Sequence, residues 1–267
     1  MLNFLLTILL PVLITVIVLT GLVLLILALR EPHVPEFTIH NLTGREDPDL
    51  KILFFSDIHV DICFVKPEYI IRQIRETKPD AVIFGGDIVT NKKALDKGIR
   101  YLNKIADYCN EQGIPFYGVS GNHDADLTAE QEASAGYTTL EDTYIELKGF
   151  AISGVDDSGR DNRIWYDPPR TPKDVTNILI AHDPDVIIHT EDPDRIRYML
   201  SGHFHGGQVK TPFGLENALR KDELPHQGIL DGIHMIGSTK VFISRGIGCA
   251  KLPIRLGCRP EVTLLLF

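Results

Sequence analysis

The chain of 267 residues carries 36 acidic against 27 basic side chains, a formal charge of −9, and 44% of its residues are apolar. This length supports one substantial domain plus an extension, and the acidic balance argues against a broad nucleic-acid-binding surface, which needs Lys and Arg. Phosphate chemistry stays open, because bound divalent cations reverse the sign locally.

From Leu2 to Leu29 no side chain is charged, and Asn3, Thr7, Thr15 and Thr20 are the polar interruptions. A bilayer core of roughly 30 Å needs about 20 helical residues, so residues 1–30 read as a transmembrane anchor that tolerates Pro11 and Gly21. A cleavable signal peptide would show a basic leader, a shorter apolar stretch and a small-residue cleavage site, none of which is clear here. Arg30, Arg45 and Lys51 follow the span, and this bias places the rest of a single-pass chain on the cytoplasmic side. Residues 31–50, punctuated by Pro32, Pro35, Gly44 and Pro48, read as a linker with an edge strand in "FTIHNL" (37–42).

Residues 51–267 show α/β organisation. The apolar runs "KILFFS" (51–56), "AVIFGG" (81–86) and "PFYGVS" (115–120) have the character of strands buried on both faces. Between them, Pro67 opens a helix with Ile70, Ile71 and Ile74 at helical spacing, and residues 93–112 form a second, stopped by Gly113 and Pro115. Strand–helix–strand alternation predicts a parallel sheet whose ligands collect beyond the carboxyl ends. Further strands are expected in "YIEL" (144–147), "FAISGV" (150–155), "NILIAH" (177–182), "RYMLSGH" (197–203), "KVFIS" (240–244) and "VTLLLF" (262–267). Cys63, Cys109, Cys249 and Cys258 form no Cys-x-x-Cys pair, which argues against a zinc knuckle and for reduced thiols.

The informative residues follow those strands. Asp57 and His59 come after the first, Asp87 after the second, and Asn122, His123 and Asp124 after the third. His182 closes "NILIAH", and His203 and His205 lie in "GHFHGGQ". All are metal-ligand types or acid–base groups, and alternate residues on extended backbone point the same way, so Asp57/His59 and His203/His205 can each aim at one spot. Taken singly, an Asp-x-His is most often a surface pair, a Gly-Asp a turn, and an Asn-His-Asp a helix cap. Five such groups in this order, each behind an apolar strand, are hard to explain structurally.

The ordered set Asp-x-His, Gly-Asp, Gly-Asn-His-Asp, His and Gly-His-x-His resembles the calcineurin-like metallophosphoesterase superfamily over roughly residues 50–267. "AHDPD" (181–185), "GHFHGGQVKTPFG" (202–214) and "SRGIGCAKLPIRLGCRPEV" (244–262) resemble its membrane-associated bacterial branch, which includes UDP-2,3-diacylglucosamine pyrophosphatase-type enzymes. The resemblance implies a layered α/β sandwich with central mixed sheets, preceded here by one transmembrane helix, with residues 51–267 as the catalytic domain. It departs from the pattern where Val60 and Asp61 replace a loop glycine and where Phe204 replaces a threonine between two ligands, neither being a ligand position.

By position, the resemblance assigns Asp57, His59 and His205 to one metal, Asn122, His182 and His203 to a second, and Asp87 to both. Two divalent ions about 3.5–4 Å apart can hold a hydroxide between them and clamp the phosphoryl oxygens. Mixed nitrogen and oxygen donors suit Mn²⁺ first, with Fe, Zn²⁺ or Mg²⁺ as alternatives. His123 is then the general acid, with Asp124 orienting its ring and raising its pKa. Arg245, Arg255 and Arg259 are candidates to clamp a substrate phosphate, with structural ion pairs as the alternative. Asp156 and Asp157 either cap a turn or support the site, and residues 212–232 read as a mobile charged insertion. The resulting expectation is a membrane-anchored, metal-dependent phosphodiesterase or pyrophosphatase acting on a lipid-linked phosphate. The alternatives are a phosphomonoesterase or nucleotide phosphodiesterase on soluble substrates, and a tethered metal-binding protein without turnover.

Overall fold

Alternation along short apolar runs sorts the chain into layers. In the computed structural model, which describes residues 4–156, 165–218 and 220–267, an apolar helix α1 (Leu10–Arg30) precedes two six-stranded sheets. The chain then forms β1 (Glu36–Asn41), β2 (Lys51–Phe55), α2 (Pro67–Thr77), β3 (Ala81–Phe84), α3 (Leu95–Gln112), β4 (Phe116–Gly118) and β5 (Thr138–Thr139). These strands and the last, β12 (Glu261–Leu266), make the first sheet, in the order β1-β12-β2-β3-β4-β5. The second sheet takes β6 (Thr143–Leu147), β7 (Phe150–Gly154), β8 (Thr176–Ile180), β9 (Tyr198–Ser201), β10 (Gly232–Ile236) and β11 (Thr239–Ile243), in the order β10-β11-β9-β8-β7-β6.

Both sheets are mixed. Within the first, β2, β3 and β4 run parallel while β12 is antiparallel to β2; within the second, β7, β8, β9 and β11 run parallel and β6 and β10 are antiparallel edges. Ile52 and Phe54 of β2 meet Ile178, Ile180, Leu200 and Phe242 of the second sheet in the inter-sheet core. Leu53 and Phe55 face the other way, into a core shared with Ile70 and Ile74 of α2 and Leu102 and Ile105 of α3. On the far side of the second sheet, Leu179, Met199, Val241 and Ile243 are covered by Val186, Phe204, Leu224 and Leu230. Strands packed on both faces lose the polar half of their alternation, which is why they read as continuous apolar runs.

The sheets are tied together at the carboxyl ends of their parallel strands. Past β11 the chain crosses to the first sheet, where Ile247 N–H donates to Ser56 O at 3.0 Å and Gly248 N–H to Asp57 O at 2.8 Å. "FTIHNL" is the expected edge strand, pairing parallel with β12. The sequence reading missed β5, which is two residues long, and β10, whose half-exposed residues at a sheet edge give little apolar signal.

Phe242 is fully buried and packs edge-on to Phe54 at 6.1 Å between ring centroids, at the heart of the inter-sheet core. Phe242→Ala is expected to cost about 3–5 kcal/mol of stability, the range for a buried aromatic deletion. A guanidinium titration that leaves the unfolding midpoint unchanged would contradict this packing.

Candidate metal centre

Five of the seven proposed ligands sit on left-handed backbone just past a strand. Asp57, His59, Asp87, His203 and His205 all have positive φ, between 39° and 67°, a region that side-chain-bearing residues seldom occupy. Such strain clusters where surrounding structure over-determines a functional geometry. Bonds outside the strands hold these turns: Asp57 N–H donates to Gly86 O at 2.8 Å and His59 N–H to Asp87 O at 3.1 Å. Glycine is required at two approaches, because a Cβ at Gly121 would strike the Asp87 carboxylate and one at Gly202 the Asp57 carboxylate.

The seven donors converge. His205 Nε2 lies 3.3 Å from Asp57 Oδ1 and 3.2 Å from His59 Nε2. His182 Nε2 lies 3.2 Å from Asn122 Oδ1 and 3.3 Å from His203 Nδ1. Asp87 Oδ2 joins the two groups, 3.3 Å from His59 Nε2 and 3.2 Å from His182 Nε2. Asp57, His59, Asp87, His182 and His205 are buried, while Asn122 and His123 are exposed toward the mouth.

Outer partners aim the imidazoles. His182 Nδ1 faces the Gly85 carbonyl at 2.7 Å, which can only accept, so Nδ1 carries the proton and the Nε2 lone pair points inward. His59 Nδ1 sits 3.0 Å from Thr90 Oγ1, whose hydroxyl is also 3.4 Å from Ala250 O. His203 turns the other way round, Nδ1 inward and Nε2 3.5 Å from Asp222 Oδ1. Burial lowers the His205 pKa well below its ordinary value, and the charges of His59 and Arg255 act in the same direction. For His59, burial opposes protonation, but the hydrogen bond and charge of Asp87 outweigh it and raise the pKa.

Asp124 works through the backbone. Its carboxylate accepts from the N–H groups of Asp87 (2.7 Å), Ile88 (3.0 Å) and Gly121 (3.0 Å), pinning the turn after β3 to the turn after β4. Burial and the neighbouring Asp87 push its pKa up to about 7 in the metal-free chain, against the pull of those three donors. The expectation that Asp124 raises the pKa of His123 needs correcting. His123 is shifted downward by burial, with the charge of Asp87 pulling the opposite way, and its own N–H donates to Asp87 Oδ1 at 2.9 Å. The His123 ring stands edge-on to His59, 5.0 Å between centroids, and lines the cavity.

Structural contacts account for the three arginine candidates. Arg245 pairs with Glu36 and Glu261, both at 2.9 Å, and Arg259 with Glu36 at 3.1 Å, as structural ion pairs. Arg255 is fully buried and donates to the carbonyls of Arg245, Gly246, Gly248 and Cys258, with Nη2 3.4 Å from His205 Nδ1. Asp183 accepts from Asp185 N–H, and Asp185 in turn from the N–H groups of Glu223 and Leu224, which docks the 212–232 insertion. Asp157 lies outside the described residues. The four cysteines are free thiols.

The cavity over the centre measures about 620 Å³ and is lined by Gln208, Arg220, Lys221, Asp222, Ala250 and Lys251 besides His123 and five of the proposed ligands, His59, Asp87, Asn122, His203 and His205. The sequence reading had not singled out Arg220 or Asp222 for the site. Arg220 seats over the ring of Phe204, 5.2 Å from its centroid, so the phenylalanine that departs from the family pattern supports a cavity cation.

The donor set fits two metal ions. Ligands at about 2.0–2.2 Å from a metal stand roughly 3.0 Å apart in an octahedron and about 3.4 Å apart in a tetrahedron; the contacts here are 3.2–3.3 Å. Asp57, His59 and His205 form one tight group of candidate ligands and Asp57, Asp87 and His182 another.

A fold of two facing mixed sheets with such a centre at their strand ends is that of a metal-dependent phosphoester hydrolase. The model of the calcineurin-like phosphoesterase family matches residues 50–207, and the chain belongs to that family. It is 29% identical over 225 residues to the uncharacterized metallophosphoesterase YkoQ of Bacillus subtilis, covering 80% of this chain and 82% of the relative. It is also 29% identical over 259 residues to the phosphodiesterase YaeI of Escherichia coli, covering 88% and 89% respectively. Among solved structures, a dimetal phosphatase from Danio rerio superposes with a TM-score of 0.47 at 11% identity, over 83% of this chain and 100% of that one.

Because Asp124 holds two ligand-bearing turns through three N–H bonds, Asp124→Ala is expected to weaken metal affinity 10–100-fold, as loss of a partner behind the ligands typically does. Competition against a graded chelator measures it, and unchanged affinity would mean the turns hold their places unaided.

Proposed function

We propose that this protein is a membrane-anchored phosphodiesterase or pyrophosphatase that uses two divalent ions to hydrolyse a lipid-linked phosphate. The observation that carries this reading is the shared carboxylate: Asp87 Oδ2 lies within 3.3 Å of both His59 and His182, the position of a ligand common to two ions. Asp57, His59 and His205 would hold one ion and Asn122, His182 and His203 the other. The nitrogen and oxygen donors favour Mn²⁺, with Fe, Zn²⁺ or Mg²⁺ as alternatives. When bound, the two ions activate a water and neutralise charge on the phosphoryl oxygens. His123, exposed beside Asn122, would give a proton to the departing oxygen. Arg220, Lys221 and Lys251 add positive charge to the cavity wall, suited to a phosphate substrate.

Residues 1–30 are the anchor, 31–50 a linker that contributes β1, and 51–267 the catalytic domain. Among the described residues one helix, Thr7–His33, is long and apolar enough to cross a membrane, and Arg30, Arg45 and Lys51, past the apolar run, favour a cytoplasmic catalytic domain. The name of the YaeI relative supports the diester preference.

Purified protein loaded with Mn²⁺ is expected to hydrolyse bis-p-nitrophenyl phosphate in preference to p-nitrophenyl phosphate. Monoester-only activity would sink the diester preference, and inactivity on both at full metal occupancy would favour a non-catalytic metal-binding protein. Asp87→Ala is expected to lose both ions in elemental analysis. His123→Ala is expected to keep them while losing on the order of 10²-fold in rate, the contribution typical of a general acid. Loss of metal together with activity in that variant would overturn the acid assignment.

A further inference from the structure

The end of α1 is built into the catalytic centre. Ala28 is the one buried residue of α1, and its carbonyl accepts the Arg255 N–H at 3.0 Å. Glu31 Oε2 accepts the Cys258 N–H at 3.2 Å. The residues so held reach the metal ligands: Arg255 Nη2 lies 3.4 Å from His205 Nδ1, and the Cys258 thiol donates to His205 O at 3.0 Å. The last carbonyls of a helix lack intrahelical partners, and here a loop of the catalytic domain supplies one.

This contact sets a depth. The apolar run of α1 ends at Leu29 and the first charge is Arg30, so a spanning α1 leaves the hydrocarbon at that level. Arg255, bonded to Ala28, then stands at the boundary between acyl chains and headgroups. Ala250 and Lys251 line the metal cavity, and the five steps from Ala250 to Arg255 span at most ~18 Å fully extended. Between them lies "LPI" (252–254), with Leu252 59% exposed.

A second loop is stitched to the first. Gln208 accepts from Ala250 N–H at 2.8 Å and donates to Leu252 O at 3.0 Å, while Lys210 N–H donates to Leu256 O at 2.9 Å. This loop continues to Phe213, wholly exposed at 101%, and Leu215 at 59%. Exposed large apolar side chains beside lysines, on two loops hydrogen-bonded to each other and through Arg255 to the helix end, match the chemistry of the interfacial region. Charges at the same helix end are mixed with a basic excess: Arg30 and Arg259 line one hollow there with Glu31, and Lys66 and Arg72 line another with Glu68 and His33. In a chain of net charge −9, that grouping favours an anionic lipid surface.

We propose that Lys251–Ile254 together with Phe213 and Leu215 form an interfacial rim seated in the headgroup layer of an anionic phospholipid bilayer, so that the metal cavity opens onto the leaflet from which α1 emerges. The proposal rests on the reading of α1 as a membrane span. It goes beyond tethering, because a tether alone would leave the mouth free to face the aqueous phase. The apolar rim continues the apolar surface of α1 across the foot of the domain, and a substrate phosphate would enter the cavity at headgroup depth.

The test uses the full-length holoenzyme in phosphatidylcholine–phosphatidylglycerol vesicles. Leu252→Cys and Phe213→Cys are labelled with an environment-sensitive fluorophore, with Glu111→Cys, exposed at the end of α3, as the aqueous control. Signal from the native cysteines is subtracted using unsubstituted protein. Probes at 252 and 213 are expected to shift to the blue and to be quenched by lipids brominated near the headgroup, while the probe at 111 does neither. Protein that floats with the vesicles and resists carbonate extraction, yet shows water-like probes at both rim positions, overturns the rim and leaves the anchor standing. Protein that carbonate strips from the vesicles overturns the span and the rim together. Two independent rim positions guard against a local disturbance at either one, and retained hydrolysis of bis-p-nitrophenyl phosphate by the labelled variants certifies their fold.

Discussion

Lone pairs facing one another at 3.2–3.3 Å are the constraint on which this molecule is organised. Imidazole nitrogens, an amide oxygen and carboxylate oxygens in such proximity repel unless a cation or protons sit between them. The fold must therefore force the approach. It does so by ending parallel strands of two facing sheets at one place, then turning the chain through left-handed residues at Asp57, His59, Asp87, His203 and His205. Asp87 occupies the junction and belongs to both halves of the centre.

Rigidity behind the ligands makes that arrangement tenable. The Asp124 carboxylate ties the turns after β3 and β4 together, the Gly85 carbonyl selects the His182 tautomer, and Arg255 fills the space behind His205 with a guanidinium bound to backbone carbonyls. Gly121 and Gly202 keep room for the two carboxylates. The electrostatics favour an anion at the junction: Asp87 is held well below the ordinary carboxylate range despite burial, by the charge and hydrogen bonds of His182 and His59.

The strands and the donor residue types were legible in the sequence because both are local. A strand buried on two faces is a short apolar run, as "KILFF" and "NILI" are, and a ligand at its carboxyl end is the next polar residue. What was not legible depends on distant pairing. Nothing near Asp222 in the chain marks it as the partner of His203, and nothing near Arg220 signals a seat on Phe204. Asp124 looked like an aid to its neighbour His123 because they are adjacent, whereas the hydrogen bonds join it to turns up to 37 residues away. Arg255 was equally opaque: an arginine in a glycine-rich segment suggested a phosphate clamp, and its complete burial among carbonyls is a property of the folded loop alone.

Arg255 joins the end of α1 to the metal centre. Its N–H bonds to the last turn of α1 and its guanidinium to the loop behind His205, so one residue carries both attachments. A flexible tether needs no such contact, because loss of chain freedom on docking the helix would go uncompensated. Here the docking is compensated by hydrogen bonds that a helix end otherwise lacks, at Ala28 O and Glu31. The helix end is therefore hydrogen-bonded to the same loop that backs His205.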